Sequence, residues 1–146
     1  MFKKYQIILL SIAVLLTGCA SVPMASLEED AKAKEFLSPA DDKSGIYIYR
    51  NTFVGQALKK NVSIDNTIIG ETANKVYFYT EIEPGSHVIS TESEFSDNKI
   101  ELETKGGINY FIEQYIKMGV FVGGANLKVV SETEGKKAVL ACKLAK

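Results

Sequence analysis

The chain has 146 residues, 46% hydrophobic and 24% charged, the proportions of an ordinary globular protein. Its 17 basic and 18 acidic residues nearly balance. That balance leaves no basic face for nucleic acid and no polybasic patch for anionic lipid.

The N-terminal segment opens on Lys3-Lys4 and continues as an apolar run from about Tyr5 to Leu16. A membrane-spanning helix needs ~20 apolar residues, so the run is too short to span and has the length and flanks of a cleavable export signal. It closes on Leu16-Thr17-Gly18-Cys19. This stretch resembles the lipobox of bacterial lipoproteins, an aliphatic residue and two small residues before a cysteine. The resemblance implies a lipid on Cys19, cleavage just before it, and acylation of the new amine. An ordinary signal peptide or signal anchor, with the cysteine there by chance, is the competing reading. Removing residues 1–18 from 146 leaves 128, enough for one domain with a core. Taking Lys3 and Lys4 from the 17 basic residues leaves 15 against 18 acidic, so the lipid on Cys19 must do the anchoring. Ala20 is not the aspartate that often retains lipoproteins in the inner membrane. In a source with an outer membrane, the expected location is its periplasmic face.

Residues 19–43 read as a tether. Ser26 and Glu29 form a capping-box pattern, but no apolar stripe follows, so any helix there is short. Ser38-Pro39-Ala40-Asp41-Asp42-Lys43 is turn chemistry. From Ser44 the apolar period becomes two. Gly45 to Arg50 is a strand with Ile46 and Ile48 on one face and Tyr47 and Tyr49 on the other. Phe53 to Leu58 is loop or strand. Asn61 to Ile64 and Thr67 to Gly70 form a hairpin around Asp65-Asn66, two residues that tolerate positive φ. Strands follow at Val76 to Ile82 and, after the Glu83-Pro84-Gly85-Ser86 turn, at His87 to Thr91. Asn98 to Glu103 alternates with Ile100 and Leu102 inward. Further strands run from Ile108 to Ile116 and from Ala125 to Val130. Ser131 and Glu134 repeat the capping pattern, predicting a short C-terminal helix despite Gly135; a strand from Ala138 to Leu144 is the alternative.

Short strands separated by turn signals predict an antiparallel β-sandwich over 44–146. Ile46-Tyr47-Ile48-Tyr49-Arg50, Val62-Ser63-Ile64-Asp65-Asn66, Ile69-Gly70-Glu71, Tyr77-Phe78 and Glu83-Pro84-Gly85-Ser86-His87 together carry a likeness. They resemble the small bacterial lipoproteins grouped as domain of unknown function 2846. Val62 to Ile89 is also similar to PEGA-type and carboxypeptidase-regulatory-type sandwiches, with Asn66 where glycine is usual. The likeness implies an immunoglobulin-like or transthyretin-like sandwich and carries no activity with it.

Catalytic constellations are missing. His87 is the one histidine, too few for a zinc site, and reads as a turn histidine satisfied by backbone. Glu81/Glu83 and Glu101/Glu103 share faces at strand spacing and read as solvated charge. No cofactor is expected. Cys142 has no partner in the chain if Cys19 is lipidated; it is either buried and inert or a reactive thiol, the latter giving an alternative enzymatic reading. Gly119 to Gly124 is apolar and glycine-rich but lacks phosphate-loop chemistry. It is a close chain crossing or an apolar lip that meets a partner.

Tyr47, Tyr49, Tyr77 and Tyr79 are the candidate partner-binding residues. They form either cross-strand aromatic packing or a wet aromatic face. We expect the C-terminal helix to cover Tyr47 and Tyr49 through Leu140 and Leu144. The expected function is a non-catalytic envelope lipoprotein, held to the membrane by Cys19, that binds an envelope protein or cell-wall component.

Overall fold

A computed structural model describes residues 21–146; the segment read as an export signal, the lipobox-like motif and Cys19 lie outside the described residues. Among the described residues, nine strands form two sheets, accompanied by two helices. In chain order they are α1 (Leu27–Ala33), β1 (Ser44–Arg50), β2 (Lys60–Ile64), β3 (Thr67–Thr72), β4 (Val76–Ile82), β5 (Gly85–Thr91), β6 (Asn98–Thr104), β7 (Asn109–Lys117), β8 (Gly124–Val130), α2 (Glu132–Leu140) and β9 (Lys143–Leu144). One sheet has the order β8-β7-β1-β4-β9 and the other β3-β2-β5-β6.

Alternation builds the sandwich interior. Ile46, Ile48, Val62, Ile64, Ile89, Leu102, Ile112 and Leu127 form one buried cluster between the sheets, with Ile100 packed against it. Asp65 and Asn66 both take positive φ, 50° and 66°, in the tight β2–β3 hairpin. The Pro84 corner carries the chain from one sheet to the other. The mainly β sandwich with a short C-terminal helix therefore stands, and its five-stranded sheet is mixed. β7 pairs with β1 in parallel, and β9 pairs with β4 in parallel.

Every residue of β1 is buried, because its second face is covered too. Tyr47, Tyr49, Tyr77, Phe111, Ala33, Val139 and Cys142 make a second core on the outer side of the five-stranded sheet, roofed by α1 and α2. The roof differs from the expectation in its contacts. Leu140 is 59% exposed, and Val139 is the fully buried residue. The C-terminal segment is helix and strand in succession: α2 stops at Leu140, and Lys143–Leu144 join the sheet edge.

The segment read as a tether is integrated into the domain. Ser26 caps α1 with both bonds of a capping box. Met24 bridges Ala145, Ala25 N–H donates to Leu144 O at 3.0 Å, and Val22 is buried in a third cluster with Ala73, Val76, Phe78 and Ala145.

Candidate functional site

Three of the four candidate tyrosines are structural. Tyr47 stacks on Phe111 at 4.9 Å between ring centroids, and its hydroxyl donates to Ala33 O at 2.7 Å. The Tyr77 hydroxyl donates to Asp30 Oδ1 at 2.9 Å. Asp30 also accepts from Lys34 Nζ at 2.8 Å and from Leu144 N–H at 2.9 Å. Burial pushes the Tyr47 phenol up to about 12 and holds those of Tyr49 and Tyr77 well above the ordinary tyrosine range. Tyr47, Tyr49 and Tyr77 are each 2% exposed or less, so aromatic packing and not a wet face describes them. Tyr79 is half-buried, and its hydroxyl donates to Glu81 Oε1 at 2.9 Å. Its ring lines a groove of about 560 Å³ between α1 and residues 37–40, floored by Tyr47 and Tyr79 and walled by Ala33, Leu37 and Leu144.

Cys142 is free and 2% exposed, and its Sγ lies 3.7 Å from Arg50 O as a donor. Burial raises the thiol to about 11. These are the properties of an inert packed cysteine. His87 sits at the hairpin end of the sandwich, with Nδ1 2.6 Å from Asp65 Oδ2 and Nε2 2.8 Å from Glu83 O. The backbone partner was expected; the Asp65 partner was not, because it comes from a different hairpin. Among the described residues, no group of three or more His, Cys, Asp or Glu side chains is placed to hold a metal ion. Glu81, Glu83, Glu101 and Glu103 are all exposed.

A polar layer crosses one end of the interior. Thr72 Oγ1 is hydrogen-bonded to Gln114 Oε1, Gln114 Nε2 donates to Thr91 Oγ1 at 2.7 Å, and Thr91 Oγ1 donates to Asn61 O at 3.0 Å. Beside it Arg50 is fully buried. Its Nη2 donates to Gly55 O at 2.8 Å and Leu58 O at 2.7 Å, while Nε and Nη1 find no partner among the described residues. Period two could have found this layer. Arg50 continues the inward series Ile46, Ile48, and Gln114 lies between the inward Ile112 and Ile116.

Beyond that layer three loops meet: residues 51–59, 92–97 and 118–123. They lie at one end because β7 runs parallel to β1 and Lys117 pairs with Gly124. The Glu94 carboxylate accepts from the backbone N–H groups of Val120 (2.6 Å), Phe121 and Val122 (3.2 Å), which fixes the 118–123 loop. Phe53 is 79% exposed, Phe95 77%, Met118 90% and Phe121 84%, so large apolar side chains from all three loops face solvent together. An exposed apolar group of this kind is a candidate contact surface. The glycine-rich stretch makes close chain approaches: a Cβ at Gly119 would overlap Val122 O, and one at Gly123 would fall 2.7 Å from Leu58 Cδ1. Phe53 and Phe95 are exposed neighbours that sequence reading did not single out.

The family described as "Protein of unknown function (DUF2846)" matches residues 40–125. An uncharacterized protein of Haemophilus influenzae is 56% identical over 139 residues, covering 95% of this chain and 82% of that protein. No solved structure matches the chain. The match spans the strands from β1 to the start of β8, and on it the chain belongs to the DUF2846 family.

Proposed function

We propose that this protein is a lipid-anchored component of the bacterial cell envelope whose β-sandwich is a non-catalytic binding domain. The carrying observation is the spacing of the lipobox-like Leu16-Thr17-Gly18-Cys19 from the folded domain. Val22, the first buried residue among those described, follows Cys19 by three positions. Cleavage before Cys19 would remove the apolar segment and leave every described element in place. In a bacterium with two membranes the anchor belongs in the periplasmic leaflet of the outer membrane, since Ala20 follows the cysteine. The surfaces available for binding are the groove beside Tyr79 and the apolar loop end; an envelope protein or cell-wall component is the ligand class.

The test is N-terminal mass spectrometry of protein from membranes, with and without globomycin, beside Cys19→Ser. The expected result is a first residue Cys19 that carries a diacylglyceryl thioether and an acylated amine, and accumulation of unprocessed precursor in both the treated and the mutant cells. Normally processed, soluble Cys19→Ser protein sinks the reading. The thiol-enzyme alternative rests on Cys142. Its burial supports slow labelling by a thiol reagent until denaturant is added; rapid labelling of the native protein with loss of a phenotype in Cys142→Ser would revive it.

A further inference from the structure

The end of the sandwich formed by the 51–59, 92–97 and 118–123 loops faces the lipid bilayer, we infer, and its apolar tips enter the interfacial layer of the same membrane that holds the lipid on Cys19. The inference rests on the anchor reading given above. Three residues of extended chain span about 10 Å. Val22 is buried against the β4 edge, in one cluster with Val76 and Phe78. A lipid on Cys19 therefore holds that edge within about 10 Å of the bilayer surface. Val76, against which Val22 packs, pairs with Arg50 at the end of β1 that leads into the 51–59 loop, so the anchor point lies toward the loop end of the sandwich.

The two ends differ in what they present. The hairpin end carries exposed Asp41, Asp42, Asp65 and Glu83. Acidic side chains there are repelled by anionic headgroups and costly to dehydrate. The loop end carries Phe53, Phe95, Met118, Val120 and Phe121, with exposed Lys59, Lys75 and Lys117 on the same end of the strands and Asp97 as the one exposed acid within the three loops. Aromatic and aliphatic tips with cations behind them suit the headgroup–acyl boundary. The loop backbone is prepared for a medium poor in water: the N–H groups of Val120, Phe121 and Val122 already donate to Glu94. Two small open clefts separate the loops, about 360 Å³ beside Phe95 and Met118 and about 260 Å³ beside Val54 and Phe121, while the rings of Phe53, Phe95 and Phe121 stand more than three-quarters exposed at the tips, as side chains that enter a fluid lipid surface would.

The chain contains no tryptophan, so one introduced tryptophan is a unique reporter. Phe121→Trp, Phe53→Trp and, at the opposite end, Glu83→Trp are made separately in the full chain. Each is extracted from membranes, its N-terminus is read by mass spectrometry, and it is reconstituted in phosphatidylcholine–phosphatidylglycerol vesicles with and without bromine on the acyl chains. All three positions are exposed, so the substitutions fill no core space. Expected are a blue shift and loss of most of the fluorescence to brominated lipid at 121 and 53, with no loss at 83. Protein bearing the lipid but unquenched at both loop positions overturns this inference and leaves the anchor intact. Quenching at 83 instead overturns it also. A blue shift without bromine quenching at 121 reports a protein contact and overturns it in favour of a protein partner. A chain whose Cys19 carries no lipid overturns the anchor, and this orientation with it.

Discussion

The Tyr47 hydroxyl donates to the backbone carbonyl of Ala33 at 2.7 Å, joining the sheet's outer face to the last turn of α1. The contact makes α1 part of the fold. Tyr47→Phe keeps the ring, its stacking on Phe111 and most of the burial. Ala33 O retains a bond from Phe36 N–H at 3.3 Å. The loss is then one buried hydrogen bond, about 1 kcal/mol. Adding Tyr77→Phe, which removes a donor from Asp30, brings the total to about 2–3 kcal/mol. Urea unfolding measures both. No change in midpoint for the double variant would show that α1 is not held to the sheet by these hydroxyls.

Gly135 decides how close α2 comes to the sheet. It is buried, and a Cβ built there would lie 2.3 Å from Phe111 Cβ. In an isolated helix Gly135→Ala is favourable by about 1 kcal/mol. Here α2 must lift off Phe111 or Phe111 must leave its stack on Tyr47, at a cost of about 1–3 kcal/mol for overpacking. The steric loss outweighs the propensity gain, so the variant is expected to be less stable by up to about 2 kcal/mol. A rise in the thermal midpoint of Gly135→Ala would reverse this ordering.

That glycine shows where sequence reading stops. In the sequence it counts against a helix, and only the neighbour it touches explains its place. Local period gave the strands: the alternation of Ile46, Tyr47, Ile48 and Tyr49 places each side chain on the side where it is found. It said nothing of which strand lies beside β1, because the parallel partner β7 is some sixty residues away in the chain and pairing leaves no local mark. The docking of α1 was hidden for a different reason. Leu27, its most apolar residue, points to solvent, and the helix is held by Ala33, the Asp30 carboxylate and a backbone carbonyl. At the loop end the glycine-rich stretch was legible from Gly119 to Gly124, whereas Phe53 and Phe95 come to the same end only through the topology.

His87 gives the domain a pH-dependent contact. Both ring nitrogens face acceptors, Asp65 Oδ2 and Glu83 O, so the imidazolium satisfies both. The hydrogen bond to Asp65 raises the His87 pKa against the smaller opposing effect of burial, and the same bond holds the Asp65 carboxyl below its ordinary value. A histidine whose folded pKa is raised contributes stability fully below the unfolded value, ~6.5, and loses it as pH rises through the folded value. The depressed carboxylate contributes above its unfolded value, ~3.9, and loses it as pH falls through the folded one. The contribution is therefore largest between about pH 4 and 6.5 and declines on the alkaline side. Because Asp65 is exposed, it amounts to a fraction of a kcal/mol. His87→Asn should remove the alkaline decline from a denaturant midpoint–pH profile. An identical profile in that variant would assign the pH dependence elsewhere.

Arg50 is a buried cation with no ion-pair partner among the described residues, and burial lowers its pKa. Its Nη2 holds the carbonyls of Gly55 and Leu58, which fixes the loop carrying Phe53, while Nε and Nη1 are left without partners. Two opposed effects meet in Arg50→Met. The thioether chain fills similar space and relieves the cost of burying a charge, which in other folds makes such exchanges neutral or favourable by about 1–4 kcal/mol. Against this, two charge-assisted bonds to the loop disappear, each worth about 1.5–3 kcal/mol before desolvation is counted. Gly55 O retains the N–H of Leu58 at 2.8 Å, so only one loop carbonyl loses its whole partnership. The expected outcome is a global stability within about 2 kcal/mol of the parent, together with a looser 51–59 loop. Limited chymotrypsin digestion should cut at Phe53 or Leu58 faster in the variant, while the urea midpoint moves little. A loss of more than about 3 kcal/mol would show that the guanidinium is a net stabiliser. Unchanged cleavage would show that the loop is held by its own turns.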